Sequence, residues 1–392
     1  MLPVFLALYE FILNISNDMY IPALPVVSIF FNVETSLAKA TIIIWFVGAT
    51  VSQLFVGPIS DKYGRRPILF IGGGIFIVVT FFCAITSSYW VFMVSRFFQG
   101  IAVSSLIIAG YAIIHEYYND QESTKIFAFL GAVTVTAPML GPTIGGILIS
   151  FIQWNKLFLI LSLASSVILL ILWFITPETM INSSTRDSKF TIQDFYFPFI
   201  KLIKNKSFFL NSLIAGISYS ITISWIINSS FLFTKKYNFS SIQYGNIQIL
   251  IFGSYLLSMQ ILKILVNRYQ KDYLVTLGIY ILFSSSLILF ISYFIFNSGW
   301  KIMLLCVSIN SFGSGILYGP ITKIIINVSL EKAGVTIAVF DLIMLFLGST
   351  IGGINSFLAE EEGLFVITTF SLSLVAFITN YLKNNYYKIT KH

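Results

Sequence analysis

The chain has 392 residues, 57% of them hydrophobic and 10% charged, with a mean hydropathy of +0.89. Soluble domains carry about 25% charged residues, so this composition excludes an ordinary soluble protein and indicates a chain that crosses a membrane many times. The net charge of +7 sits on Lys and Arg in short connections between apolar runs, where such residues set orientation, so it does not point to a nucleic-acid partner. Cys83 and Cys306 are far apart, as are His115 and His392, so neither a disulfide framework nor a metal site is expected.

Apolar runs long enough to span a bilayer occur at roughly 2–31, 37–57, 68–87, 89–115, 125–151, 154–176, 208–235, 241–265, 274–296, 302–328, 333–359 and 364–383. Because the first run starts at Leu2, a cytoplasmic N-terminal tail is expected to be absent or removed by the choice of start codon. That run contains YEFILNISNDMYIPALP at 9–25, with Glu10 and Asp18 and the polar residues Asn14, Ser16 and Asn17. A charge inside a spanning helix is costly and usually faces a cavity or a partner. Glu10 and Asp18 lie about 12 Å and about 80° apart on a helix, with Asn14 and Asn17 between or beside them. The stretch therefore reads as one polar stripe with titratable groups at two depths. Tyr9, Phe11, Met19, Tyr20 and Phe46 are expected to wall an adaptable apolar pocket beside it.

Run two leads into GPISDKYGRRP at 57–67. Gly57 ends the span, Gly64 permits a tight turn, and Asp61 stands among Lys62, Arg65 and Arg66. These charges can pair between neighbouring helix ends and hold one face closed, with Glu116 at the inner end of run four as a further partner. Arg96 lies about 10 Å deep in run four and needs a counter-charge or a polar cavity, for which the Asp18 region is the candidate. Run five carries AVTVTAPMLGPTIGGIL, in which Pro138 and Pro142 bend the helix and Gly141, Gly145 and Gly146 allow close helix approach. The polar stretch at 177–206 ends in a segment expected to form a short amphipathic helix on the membrane surface. In the second half Lys323 and Asp341 are the charged intruders, as a structural pair or as secondary groups in proton or substrate handling.

Assigning the N-terminus to the cytoplasm places 17 Lys and Arg residues on that side, against Lys39, Lys156, Lys235, Lys236 and Lys301 outside. Both termini are thus expected in the cytoplasm. The halves resemble each other weakly: GPTIGG in run five matches GSTIGG in run eleven, and RFFQGIAVSS in run four matches NSFGSGILYG in run ten. The expected fold is an all-α membrane protein of 12 transmembrane helices in two six-helix bundles. The bundles take 1–176 and 207–392, the second with a short cytoplasmic tail, and a linker at 177–206 joins them. Related halves point to bundles that rock about a central site.

The 57–67 segment resembles the signature loop GxxxDRxGRRP of the major facilitator superfamily, with Lys62 in place of the usual Arg, and run five resembles that superfamily's antiporter motif. YEFxxxxxNDM followed by YIPALP is similar to the first span of MdfA-type multidrug/proton antiporters, with the PALP ending closer to the Bcr/CflA drug exporters. SRFFQGI, GYAIIHE, APMLGPTIGG, WIINSS and NSFGSGI extend the resemblance over both halves. It implies the major facilitator fold and a drug:proton antiporter. In it, Glu10 and Asp18 handle protons and cationic drug, Arg96 tunes them, and Lys323 stands where the family has a basic residue. Asn14 replaces an aromatic residue of the family's drug pocket, and Asp341 is an added acid. The implied partners are the lipid bilayer, lipophilic or cationic small molecules and protons. No cofactor beyond the proton gradient, no metal and no nucleic acid is expected, and the chain is expected to act as a monomer in a bacterial inner membrane. A proton-coupled symporter importing a metabolite would use the same acids and remains open at this point, as does a membrane sensor. No nucleophile–base pair or GxxxxGK[ST] loop supports an enzyme.

Overall fold

The computed structural model describes residues 1–53, 55–179, 192–297, 299–331, 333–358 and 362–390. Arg186, Lys189, Lys332, Lys391 and His392 lie outside them. Every regular element among the described residues is helical. The helices are α1 (Leu2–Asp18), α2 (Leu24–Phe30), α3 (Thr35–Gln53), α4 (Val56–Tyr63), α5 (Arg65–Ile85), α6 (Tyr89–Tyr117), α7 (Asp120–Leu148), α8 (Trp154–Ile175), α9 (Ile192–Lys204), α10 (Lys206–Phe231), α11 (Ser241–Leu265), α12 (Lys271–Phe294), α13 (Trp300–Val328), α14 (Ala333–Leu358) and α15 (Glu362–Thr390). Eleven are long and apolar enough to cross a membrane, and the segment made by α1 and α2 is the twelfth.

The first span is not one continuous helix. Pro22 has no N–H to offer the Asp18 carbonyl, and Pro25 none for Ile21, so α1 stops at Asp18 and a 3₁₀ turn at Ile21–Ala23 leads into α2. The 57–67 segment, expected as a loop, is two helix ends instead. Gly57 lies inside α4, and only Gly64, at φ 103°, separates α4 from α5. Asn119 accepts from the Glu122 N–H at 2.9 Å and caps α7, whose first turn also carries Asp120.

The chain divides into two compact units. The first comprises Met1–Phe195 with Phe233–Gln248, and the second Tyr196–Leu232 with Ile249–His392. In the first unit α6 packs against α3 and α5, while α1 packs against α7 and α8. Gly48 and Gly100 bring α3 and α6 to backbone contact: a Cβ on Gly100 would stand 2.8 Å from the Ala49 nitrogen and 3.0 Å from the Trp45 carbonyl carbon. A cluster of Phe31, Phe92, Trp154 and Phe158 fills one end, with ring centroids 5.3–6.2 Å apart.

In the second unit α12 packs on α13 and α15, and α10 on α14 and α15, around Phe208, Val275, Ile279, Leu317, Ile321 and Phe340. Gly348 and Gly352 of α14 rest on Tyr219 and Ile223 of α10, the counterpart of the contact that α7 makes with α1. The amphipathic segment forms α9. Lys201 pairs with Glu331 at 2.7 Å, and Asn205 caps α10 while donating to the Val328 carbonyl at 3.0 Å.

Two lysines that the sequence reading placed at the membrane faces are enclosed in their units. Lys39 is buried in α3. The Lys383 side chain is 0% exposed in α15 and donates to Asp272 at 3.2 Å and to Asn211 at 3.4 Å, tying α15 to α12 and α10. Lys383 is buried while Asp272 is exposed, so removing the carboxylate leaves the buried charge uncompensated, whereas removing the buried charge itself relieves that cost. Asp272→Asn should therefore lower the thermal midpoint of the purified protein more than Lys383→Met does; the reverse order would show that the amine is not enclosed as described. Gly100→Val should cost about 1–3 kcal/mol through overpacking, whereas Gly57→Ala, with nothing within 4 Å of the added carbon, should stay within about 1 kcal/mol of wild type. Equal unfolding midpoints for the two glycine variants would refute the α3–α6 contact.

Candidate functional site

The polar stripe of α1 is shared between two neighbours. Asn17 and Asp18 are about 100° apart around the helix axis, and the structure turns the first toward α6 and the second toward α7. Arg96 of α6 is 0% exposed. Its Nη2 donates to Asn17 Oδ1, and its Nη1 donates to the Ser16 carbonyl at 3.3 Å and to Gln99 Oε1 at 2.6 Å. Its Nε donates to the Thr41 carbonyl of α3 at 3.2 Å. The guanidinium lies over the Tyr20 ring, 4.7 Å from the centroid, with Phe158 of α8 at 5.9 Å. Gln99 passes the network on to Thr80 of α5 at 2.7 Å, and the Tyr20 hydroxyl meets Thr41 Oγ1 at 2.8 Å. The last carbonyls of a helix carry partial negative charge and lack intrahelical donors, so a cation at Ser16 completes the end of α1.

None of the Arg96 hydrogen bonds goes to Asp18, and the two form no ion pair. Within the Asp18 region expected to receive Arg96, the direct partners are Asn17 and the Ser16 carbonyl. Arg96 and the Asn17 amide still act electrostatically on the Asp18 carboxylate. Tyr9 and Tyr20, expected in a pocket wall, are enclosed in the core, Tyr20 beneath the guanidinium.

Asp18 and Glu10 are both buried. The α7 helix closes on the end of α1: a Cβ on Gly141 would lie 2.9 Å from Asp18 Cβ, and one on Gly145 would lie 2.6 Å from the Met19 carbonyl carbon. Gly146, on another side of α7, faces the start of α11 at Ser241. Pro138 and Pro142 lie inside α7 without ending it. Glu10 Oε1 accepts from the Thr134 hydroxyl of α7 and from the Tyr111 hydroxyl of α6 at 3.3 Å. Tyr111 stacks on Phe127, with centroids 5.3 Å apart and planes 8° from parallel. The Asn14 amide bonds back to the Glu10 carbonyl at 2.9 Å, so it is held on its own helix. Tyr111 and Thr134 were not singled out in the sequence; nothing in residue type or spacing separates them from the other hydroxyls of their helices.

At the α4–α5 junction Arg65 is the centre. It pairs with Asp61, and with Glu116 of α6 at 3.1 Å, and its Nη1 also donates to Ser60 Oγ at 3.2 Å. Arg66 donates to the Trp173 carbonyl of α8 at 2.7 Å and lies over the Trp173 and Phe70 rings. Two residues the sequence reading assigned to the linker also belong here. Glu178 accepts from the Arg65 N–H at 3.3 Å, placing a carboxylate at the start of α5, and Thr179 donates to Glu116. Gly57 takes no part in close packing.

In the second unit Lys323 is exposed and Asp341 is partly buried, and no ion pair joins them, which removes the structural pair expected from sequence. They lie on different helices, α13 and α14.

Arg96 makes its four hydrogen bonds with a planar fork that an ammonium cannot reproduce. Arg96→Lys should therefore keep the charge yet lose at least about 2 kcal/mol of stability, read as a lower unfolding midpoint in detergent; an unchanged midpoint would mean the fork is not holding α1, α3 and α6 together.

A sequence profile of the Major Facilitator Superfamily matches residues 6–353. The multidrug transporter MdfA of Edwardsiella ictaluri (strain 93-146) is 28% identical over 345 residues, covering 88% of this chain and 83% of that protein. The multidrug resistance protein MdtM of Salmonella typhimurium (strain LT2) is 25% identical over 344 residues, covering 88% and 82%. Among solved structures, a bacterial homologue of the human lysosomal transporter Spinster superimposes with a TM-score of 0.75 at 15% identity, over 97% of this chain and 96% of that one. The profile runs through both helical units and takes in the polar stripe, the α4–α5 junction and the α7 glycines, and on that match the chain belongs to the Major Facilitator Superfamily.

Proposed function

We propose that this chain is a proton-driven antiporter that exports lipophilic, cationic or neutral drug-like molecules across a bacterial inner membrane. The observation that carries this reading is the pair of buried carboxylates on α1. Glu10 and Asp18 are 2% and 6% exposed, and neither has an ion-pair partner among the described residues. A desolvated carboxylate without a fixed counter-charge is stabilised by taking up a proton or a cation, and the two compete for it. That competition is what couples proton entry to cation exit. The relatives named as multidrug transporters support the substrate class.

In this reading Asp18 is the principal proton carrier, and Glu10 extends the site toward cationic substrate. Asn14 lies between them, while Asn17, held by Arg96, keeps the end of α1 in place. Arg96 supplies the positive field near Asp18 without quenching it. The Arg65–Asp61–Glu116 cluster, with Gly64 and Arg66, acts as a conformational latch on the cytoplasmic side. Pro138 and Pro142 give α7 its flexibility, and Gly141 and Gly145 its fit on α1. Both termini are cytoplasmic, the segments 1–176 and 207–392 are the moving bodies about the linker, and the protein works as a monomer with no cofactor. Lys323 and Asp341, unpaired with each other, are secondary groups on the second body.

The test uses the purified protein in detergent and tetraphenylphosphonium as the cation. Wild type should release protons on binding it, and Asp18→Asn, left with Glu10 alone, should release markedly fewer. Because protons and cation compete, affinity should fall as the pH is lowered. In everted vesicles an inward-acid gradient should drive the cation in; efflux, or no proton release from wild type, would sink the antiport reading.

A further inference from the structure

Glu10 is held by two hydroxyls, and one of them has a second place to go. Thr134 Oγ1 lies within hydrogen-bond reach of Glu10 Oε1 and also of the Leu130 carbonyl in its own helix, at 3.1 Å. A threonine hydroxyl has one proton and two lone pairs. It can give that proton to Glu10 or turn it back to Leu130, and when it turns back its lone pairs can accept a proton carried by Glu10. The ionised carboxylate is an acceptor only, so it favours the first arrangement. The protonated acid is itself a donor, so it is satisfied by the second. The Tyr111 ring is fixed by the stack on Phe127. The switch also sits where α7 lacks a backbone hydrogen bond, since Pro138 has no N–H to give the Thr134 carbonyl.

The groups around Glu10 leave this hydroxyl pair as its main polar control. From α6 the titratable neighbour is Tyr111. Arg96 is fifteen residues away along that helix and bound to Asn17, while His115 is exposed and Glu116 is engaged by Arg65. From α7 the charged residues are Asp120, Glu122 and Lys125, at least nine residues before Thr134. From α8 the only charged residue is Lys156, exposed near the start of that helix. On α1 itself the titratable groups are Tyr9 and Asp18, the latter about 12 Å along the axis.

We propose that Thr134 is a positioning residue for Glu10, its hydroxyl turning between Glu10 Oε1 and the Leu130 carbonyl as Glu10 loses and gains its proton. The inference rests on the reading of Glu10 as a group that takes up protons and cations. By donating to the ionised form, Thr134 favours the carboxylate over the acid and so keeps it available to a cation.

The experiment measures tetraphenylphosphonium affinity of the full-length protein in detergent across a pH series. The variants are Thr134→Val, Thr134→Ala, Thr134→Ser and Glu10→Gln. Without the donor, Glu10 keeps its proton to higher pH, so the Val and Ala variants should move the midpoint of the affinity profile upward by about one pH unit, about tenfold in affinity at a fixed pH below it. Thr134→Ser keeps the hydroxyl and should return the profile to wild type. In infrared difference spectra between low and high pH, the carboxylic acid C=O band that Glu10→Gln removes should move to higher frequency in Thr134→Val. An unshifted midpoint in Val and Ala, or a Ser variant shifted as far as Val, overturns the role of the hydroxyl while leaving Glu10 in place. A Glu10→Gln protein that binds the cation with the wild-type pH profile overturns the reading of Glu10 itself. The two failures are thus separable, and the smaller Ala and Ser side chains carry the comparison if Val does not fold.

Discussion

A guanidinium with no access to solvent is the fixed point of the first unit. Burying such a charge without partners costs several kcal/mol or more, so the surroundings must satisfy it. Arg96 is satisfied by atoms from three helices, the Ser16 carbonyl and Asn17 from α1, the Thr41 carbonyl from α3 and Gln99 from α6 itself, with Tyr20 across its face. This arrangement needs α1 to end where it does. A continuous helix would offer the Ser16 carbonyl to its own backbone, whereas the prolines at 22 and 25 stop the helix and leave the end open to a cation. The break in turn exposes the Met19 carbonyl region to the α7 glycines. One buried charge, one helix break and one small-residue stripe therefore depend on each other.

The second unit repeats the plan with neutral side chains where the first has Arg96, and its own buried cation, Lys383, stands on α15. Asn310 of α13 crosses to Ser286 of α12 at 2.8 Å, as Gln99 of α6 crosses to Thr80 of α5, and Ser218 of α10 meets Ser314 of α13 at 2.8 Å. The α14 glycines lie against side chains of α10, while those of α7 reach the backbone of α1. Neutral side chains make smaller demands on their surroundings than a guanidinium does. The unit that buries the guanidinium is accordingly the one whose first helix is broken and closely seated, and its buried acids are those of the α1 stripe.

The span pattern, the paired halves and the elements that carry the site were legible because they rest on composition, length and periodicity. The break in α1 was written in Pro22 and Pro25, but a run of apolar residues from 2 to 31 hid it, since hydropathy does not register a missing N–H. The same is true of 57–67, where helical α4 was read as a loop because Gly57 and Gly64 bracket it. Depth along the membrane placed Arg96 level with Asp18. Only the direction each side chain takes around the helix decides between Asp18 and its neighbour Asn17, and that is set by how α1 packs on α6 and α7. Lys383 and Lys39 counted as face charges because helix ends are uncertain by a turn, and one turn is the difference between solvent and core. Glu178 and Thr179 follow the last apolar run of the first half, and no local pattern says that the chain folds back onto Glu116 and Arg65.

The division of labour along α1 follows from these contacts. An oxygen that is bonded to a buried cation cannot also accept from a substrate without releasing that cation into an apolar interior. The Asn17 Oδ1 is such an oxygen, and it is held by Arg96, while the Asn17 Nδ2 is buried without a hydrogen-bond partner. Asp18, one residue on, escapes this constraint because the guanidinium is already engaged by carbonyls and amides. Had Arg96 paired with Asp18 directly, the two charges would have compensated each other and the carboxylate would have held no affinity for an incoming cation. By taking neutral partners, Arg96 completes the helix end and leaves Asp18 within its field but outside an ion pair, the arrangement on which the proposed exchange of a proton for a cation rests.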